Sequence, residues 1–343
     1  MSLPRAGEQH ASHGEQEDNA PLRQAWLRWR FILALPVAAL SAWWLWLVAD
    51  PEAVLPVLRS AHAEIVLAAS LLVVASLLAK TIRWRMLLGS GALSVTEAYR
   101  IFHISVLMNN LLPLRAGDGA RVVSTPVRRG SGARRAVVAL VGERLIDGVA
   151  LGAIAASGAV AVALWPEWAS MAAVGRVLVV LASGVGLGAA LAGVALVRSH
   201  GLGAPGRPGW TTRLGQRLEE WGAAVRLDRG TSMRVVGLTA ASWLGTLWLH
   251  YVLLGAVGTS QSLELAVAVT LTTNLALLVP AAPAGIGTVH AAAAAPLVAS
   301  GVSTEVALGF AILVHAVNVV PPSLIGLACL VPWRTPRWVA RQA

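Results

Sequence analysis

The sequence predicts an all-α polytopic membrane protein, and three observations predict it. Of the 343 residues, 56% are hydrophobic and only 13% charged, with a mean hydropathy of +0.67. A soluble domain is about one quarter charged, and a chain this poor in charge could not cover a water-facing surface. Apolar runs recur at roughly 31–49, 64–80, 136–164, 171–197, 235–257 and 306–331. Each approaches the roughly 20 residues that a helix needs to cross a bilayer.

The third observation is one-sided charge. With the six runs taken as spans, the Lys and Arg residues number four in the N-terminal tail, four in 80–100, six in 115–135, seven in 198–234 and three in the C-terminal tail. The alternate loops, 50–63, 165–170, 258–264 and 301–305, hold only Arg59. The excess of Lys and Arg on cytoplasmic loops therefore predicts a multi-pass protein of the cell membrane with both termini in the cytoplasm. Trp26, Trp29, Trp84, Trp165, Trp168, Trp333 and Trp338 fall at the predicted interfaces, where indole rings concentrate. The formal charge of +10 suits anionic headgroups and not nucleic acid.

In chain order, residues 1–30 form a polar cytoplasmic tail, expected to be disordered. A membrane domain follows over 31–331 and a short cytoplasmic tail over 332–343. The first apolar run begins at Phe31 behind Arg28 and Arg30 and reads as a retained signal anchor. Cys329 is the single cysteine, which excludes a disulfide framework and a cysteine metal site.

Two apolar stretches are broken. Residues 101–114 are short for a span, and a full crossing would put the following six arginines on the outside. The charge pattern predicts instead a helix that starts at the capping box Ser94-Val95-Thr96-Glu97, breaks at Asn109-Asn110-Leu111-Leu112-Pro113 and returns to the same side. Its return arm carries Arg115, Asp118 and Arg121, too polar for lipid, so it must line a wet or protein-walled cavity. Residues 265–300 begin and end outside, as either a second re-entrant hairpin or two short tilted spans.

The same order of span, span, broken hairpin and span thus occurs in 31–164 and 171–331. An odd number of spans per half gives the two copies opposite orientation. The breaks share an Asn, an apolar stretch, a Pro and an Ala-Gly: Asn110 to Gly117, and Asn274 to Gly285. Inverted repeats with interrupted helices in matching positions point to a transport site near mid-membrane. The alternative is that Pro and Gly are simply common in membrane helices.

The residue types that could carry chemistry cluster at these breaks and in one span. Glu143-Arg144-Leu145-Ile146-Asp147 places charge inside the run 136–164. Such groups face cavities and pair with one another. Glu143 and Asp147 are i, i+4 on one face, so one can neutralise Arg144 and leave a spare carboxylate. The alternative is that they snorkel at headgroup depth. Arg115, Asp118 and Arg121 supply guanidinium forks suited to a phosphate, with Gly117 and Gly119 letting backbone N–H groups approach an anion. In the second half Pro283, Gly285 and Gly287 precede His290, whose imidazole titrates near neutral pH or simply packs, as do His103, His250 and His315. No zinc-protease motif, nucleophile elbow or Ser-His spacing occurs, so no enzyme, cofactor or metal site is expected. Metal-dependent phosphotransfer needs several aspartates. The chain has five, of which Asp18, Asp50 and Asp228 lie in tail or loops.

Over about 65–331 the chain resembles the membrane region of lysylphosphatidylglycerol synthases, a flippase-like family that also occurs without a soluble aminoacyl-transfer domain. The resemblance rests on Arg83-Trp84-Arg85-Met86-Leu87-Leu88, on Asn109 through Arg121, on Glu143-Arg144-Leu145-Ile146-Asp147, and on Pro283-Ala284-Gly285-Ile286-Gly287. In the family this region is implicated in moving aminoacylated phospholipid between leaflets, so the resemblance implies translocation or binding of a phospholipid and no lipid aminoacylation. The family's Pro-Gly-Gly-x-Gly followed by Glu is replaced here at Ala284 and His290. A plain anionic or glycosylated lipid is therefore as good an expectation as a lysyl lipid.

Together these readings predict a flippase-like protein. Arg115, Arg121 and Arg144 would engage phosphate. Asp118, Glu143 and Asp147 would orient those arginines or meet a cationic headgroup. Asn110, Pro113, Gly117, Asn274, Pro283, Gly285, Gly287 and His290 would shape the path. The alternatives are a non-transporting partner of a lipid- or glycan-modifying enzyme, and a secondary ion-coupled transporter.

Overall fold

The computed structural model describes residue 43 and residues 51–89, 92–112, 115–125, 132–164, 228–277 and 283–331. Both tails, the expected spans at 31–49 (Trp43 apart) and 171–197, and Pro113 lie outside the described residues. Among the described residues every regular element is helical: α1 (Pro51–Ser60), α2 (Ala63–Leu88), α3 (Val95–Leu111), α4 (Ala116–Ser124), α5 (Gly132–Leu164), α6 (Arg229–Ala256), α7 (Leu263–Ala276), α8 (Thr288–Ala299) and α9 (Thr304–Leu330). Among them α2, α6 and α9, at 26, 28 and 27 residues, are apolar and long enough to cross a membrane.

Short polar side chains set where helices begin. The expected capping box forms at α3: Ser94 Oγ accepts from the Glu97 amide, and the Glu97 carboxylate accepts from the Ser94 amide at 2.8 Å. Asp228, Ser262 and Ser303 cap α6, α7 and α9 in the same way. A side-chain acceptor at this position satisfies an N–H that the helix itself leaves orphaned. The two carboxylate oxygens of Asp228 take the amide and hydroxyl of Thr231. These bonds hold this exposed carboxyl below its usual range.

The helix ends sort into two groups. At one end Arg85 donates to the Leu93 carbonyl, Arg100 donates to the Cys329 carbonyl, and Trp84, Leu93, Ala98, Ala136 and Val235 share an apolar cluster. This basic end gathers the last turn of α2 and the first turns of α3, α5 and α6. At the opposite end the His62 amide donates to the Ala256 carbonyl, and Val54, Leu265, Leu297 and Ala307 share a second cluster. The first turn of α7 and the last turn of α8 therefore lie together. At 14 and 12 residues they span only about 21 and 18 Å, and the two pack against each other as the arms of a helical hairpin. Among the described residues the most extensive helix pairing is α2 against α6, where Gly245 sits against Ser76; small residues let helix backbones approach.

Three expectations are corrected. Residues 80–88 continue α2 and are not loop, so Lys80, Arg83 and Arg85 are helical. The expected outer loop 50–63 contains helix α1. Trp84 is fully buried beneath a guanidinium, so its ring packs inside the protein and does not face headgroups. For Arg83 and Trp84 composition placed the residue, but a partner on another helix decided its environment.

Candidate functional site: a ladder of buried charge

The charged residues singled out from sequence assemble around one residue that sequence had assigned to a loop. Arg83 of α2 is wholly buried and lies between the two acids of α5. Its Nη1 and Nη2 donate to Asp147 Oδ1 and Oδ2 at 2.8 and 2.9 Å, and Nη2 stands 3.5 Å from Glu143 Oε1. Glu143 and Asp147 are one turn apart, so both reach one guanidinium, as their i, i+4 spacing allows. Thr239 and Trp243 of α6 complete the setting: Arg83 Nη1 donates to Thr239 Oγ1 at 3.0 Å, and Trp243 Nε1 donates to Asp147 Oδ1 at 3.2 Å.

From Glu143 the ladder passes to the first hairpin. Arg121 Nη2 of α4 lies 3.0 Å from Glu143 Oε2, an ion pair set off the N–H direction, and 3.8 Å from Asp118 Oδ1. The Arg121 guanidinium also sits 5.1 Å from the centroids of both the Trp84 and Phe102 rings. Such faces attract a cation. Asp118 receives Arg144 Nη2 at 2.5 Å and Asn109 Nδ2 at 3.1 Å. The order is thus Asp147, Arg83, Glu143, Arg121, Asp118, Arg144, alternating in sign. Arg144, with 43% of its side chain exposed, is the wet end.

This corrects the expected pairing. Neither acid of α5 neutralises Arg144; both serve Arg83, and Arg144 is taken by Asp118. No carboxylate of the ladder is left spare. Four polar atoms of the ladder and its setting nonetheless make no hydrogen bond among the described residues: the donors Arg83 Nε, Arg121 Nε and Trp84 Nε1 and the acceptor Glu143 Oε2, all buried. Buried polar atoms are nearly always satisfied, by water or a ligand if not by protein. Arg83 was legible as an arginine inside an apolar helix pattern, but the charge count alone assigned it to the cytoplasm.

The first break positions the ladder. α3 ends at Leu111, and Arg115 turns the chain in a left-handed conformation, φ 53° and ψ 42°, before α4 starts. Such a conformation is uncommon for a residue with a Cβ. Gly117 is required for the return: a Cβ there would run into the Ser105 carbonyl and Asn109. Asn109 holds the tip closed, its Oδ1 accepting from the Asp118 amide at 3.2 Å. Asn110 faces elsewhere and donates to Ser323 Oγ of α9 at 3.0 Å.

The second break is built alike but carries no charge. Ala284 (φ 53°), Gly285 (φ 71°) and Gly287 (φ 85°) turn the chain with positive φ. The turn Pro283–Gly285 rests against α3, so the second hairpin meets the first. His290 is buried, its Nδ1 accepts from the Gly287 amide at 3.3 Å, and its ring stacks on His315 with centroids 4.4 Å apart. Asn274 donates to the Thr270 carbonyl within its own helix at 2.8 Å. None of these side chains pairs with the ladder. Farther along α2 and α6 an apolar cavity of about 370 Å³ is lined by Leu72, Leu244, Leu247, Trp248, Tyr251 and Leu263.

Apolar helices of membrane-spanning length, broken hairpins and a buried ladder of ion pairs define a helical membrane protein with a polar interior. Residues 26–326 match the family described as Lysylphosphatidylglycerol synthase TM region, and the chain belongs to that family. No curated protein and no solved structure matches it.

Proposed function

We propose that the protein is a flippase-like membrane protein that binds a phospholipid headgroup and carries it across the cell membrane. The observation that supports this best is the ladder itself, which runs from half-exposed Arg144 through buried Glu143 and Arg83 to the deep side of Asp147. Charges at membrane depth are costly and mark pathways for polar cargo. The headgroup would enter at Arg144, and its phosphate would exchange with the carboxylates that now hold the arginines. The apolar cavity beyond Trp243 suits an acyl chain. In this reading the two hairpins, with α2 and α6 ahead of them and α5 and α9 behind, are copies of opposite orientation. Six spans carry them, and both termini lie in the cytoplasm. The protein would move lipid and not modify it, so it needs no catalytic group and no cofactor.

The test is leaflet exchange of fluorescent phosphatidylglycerol in liposomes. Wild-type protein should speed quenching from outside, and Arg144→Ala should abolish that gain. Exchange no faster than in empty liposomes, with and without a proton gradient, would defeat this reading.

One observation favours a second reading. Arg83 and Arg121 are 0% and 3% exposed and already ion-paired, as expected if the polar interior is permanently closed. The protein would then be a docking partner of a lipid- or glycan-modifying enzyme, and the same assay separates the two.

A further inference from the structure

The three carboxylates of the ladder are not held alike. Asp147 accepts from Trp243 Nε1 at 3.2 Å as well as from Arg83, and Asp118 accepts from Asn109 Nδ2 at 3.1 Å as well as from Arg144. Each therefore keeps a neutral N–H donor if its arginine leaves. Glu143 keeps none. Among the described residues its partners are two guanidiniums, with Arg83 Nη2 at 3.5 Å from Oε1 and Arg121 Nη2 at 3.0 Å from Oε2. Oε2 is buried and accepts no hydrogen bond, and each arginine has a buried Nε that is likewise unfilled.

This asymmetry matters when an anion competes for the arginines. A phosphodiester offers acceptor oxygens to both guanidiniums, their unfilled Nε atoms included. Glu143, with 4% of its side chain exposed, would then be a buried carboxylate with neither a cation nor a hydrogen-bond donor. A group in that position takes a proton and becomes neutral. Asp118 and Asp147 stay ionised on the donors that remain to them. The charged groups on the elements around Glu143 are Arg83 on α2 with Lys80 one turn before it, Asp118 and Arg121 on α4, and Arg144 and Asp147 on α5 itself. α3 and α6 add only the uncharged Phe102, Thr239 and Trp243, and α7 meets α5 farther along, at Leu151 and Ala155.

From this we infer that Glu143 takes up one proton when an anionic lipid headgroup binds, so that the protein moves lipid and proton together. The inference rests on the lipid-binding reading above and specifies its coupling ion. Arg83 and Arg121 pass from the Glu143 carboxylate to the phosphate, a proton from water joins the carboxylate, and no covalent bond of the lipid changes. Release of the headgroup returns both arginines to Glu143 and sends the proton out on the same side. The phosphodiester brings one negative charge and the proton one positive charge. The loaded interior therefore has the same net charge as the empty one, which avoids carrying an uncompensated charge through hydrocarbon.

The test is titration calorimetry of the purified full chain with dihexanoylphosphatidylglycerol, a lipid with no group that titrates near neutral pH, in buffers of different ionisation enthalpy. Wild type should take up about one proton per lipid bound. Glu143→Gln, which keeps the shape of the side chain, should bind the lipid with no uptake. A thermal melt identifies loss of fold in the variant. If it does not fold, infrared difference spectra of wild type with isotope-labelled glutamate carry the test, and the band of a neutral glutamic acid should appear on lipid binding. Lipid binding without proton uptake, uptake unchanged in Glu143→Gln, or no such band would overturn the inference and leave the lipid-binding reading standing. No saturable binding by wild type would defeat that reading and the inference with it. In liposomes, an acid interior should speed exposure of inner-leaflet phosphatidylglycerol relative to an acid exterior. Equal rates under the two gradients would overturn joint movement of lipid and proton.

Discussion

Arg83 and Asp147, 64 residues apart in the chain, meet in a two-pronged ion pair of 2.8 and 2.9 Å that joins α2 to α5. The fork is fully enclosed on the Arg83 side. Removing one partner of a buried pair leaves the other charge uncompensated, which costs about 3–5 kcal/mol. Arg83→Met should therefore lower the melting temperature of detergent-purified protein strongly. Arg83→Met combined with Asp147→Leu should recover part of the loss. A double variant no more stable than Arg83→Met would show that the pair is not what joins the two helices.

Arg144 and Arg121 should separate stability from transport. Arg144 is half exposed, and exposed ion pairs contribute about 0–1 kcal/mol. Arg144→Ala should melt close to wild type while losing lipid exchange. Arg121→Ala should lose both, since it strands Glu143 and empties the space against Trp84 and Phe102.

The hairpin offers a paired glycine test. Gly117→Ala forces a methyl into the Ser105 carbonyl, whereas nothing stands within 4 Å of a methyl at Gly119. Overpacking of this kind costs about 1–3 kcal/mol. Melting should fall for Gly117→Ala and stay level for Gly119→Ala. Equal behaviour of the two would mean that α3 and α4 do not pack this closely.

Water access along the path can be read with thiols. Cys329 is buried. On a Cys329→Ser background, Arg115→Cys should react with a charged water-soluble thiol reagent, and phosphatidylglycerol should slow the reaction. A Cys at Asn274, on the uncharged second hairpin, should react more slowly. An inert Arg115→Cys would support the closed, docking-partner reading.

The cap of α6 gives a pH dependence outside the membrane-spanning segments. The bonds from Thr231 lower the Asp228 carboxyl below its ordinary value of about 4. A lowered folded-state value means that the cap's contribution is complete above the unfolded value and is lost as pH falls through the folded one. After correction for its intrinsic pH dependence, amide exchange in the first turn of α6 should be slow at pH 6 and faster below about pH 3. Asp228→Ala should show the fast behaviour throughout.

The polar breaks illustrate how far the sequence could be read. Ser94 and Glu97 announced the start of α3, because a cap is a contact between neighbours in the chain. The return of the chain after Asn110 followed from counting arginines, since their cost in hydrocarbon does not depend on partners. The family, too, was legible from motifs in order along the chain. Long apolar helices at α2, α6 and α9 needed only composition and length.

What tertiary structure alone decided was pairing. The sequence offered Glu143, Arg144 and Asp147 as one local group, yet the acids belong to Arg83 and the arginine belongs to Asp118. Arg83 is buried in α2 where α5 brings carboxylates to it, and a charge count carries no information about a partner 64 residues away. The same holds for Trp84, whose place under Arg121 required α4 to fold back over α2. Apolar character and helix capping are properties of a segment, and the sequence by itself determined them. Which opposite charges meet depends on how segments cross, and that is fixed by the close approaches at Gly117 and Gly245.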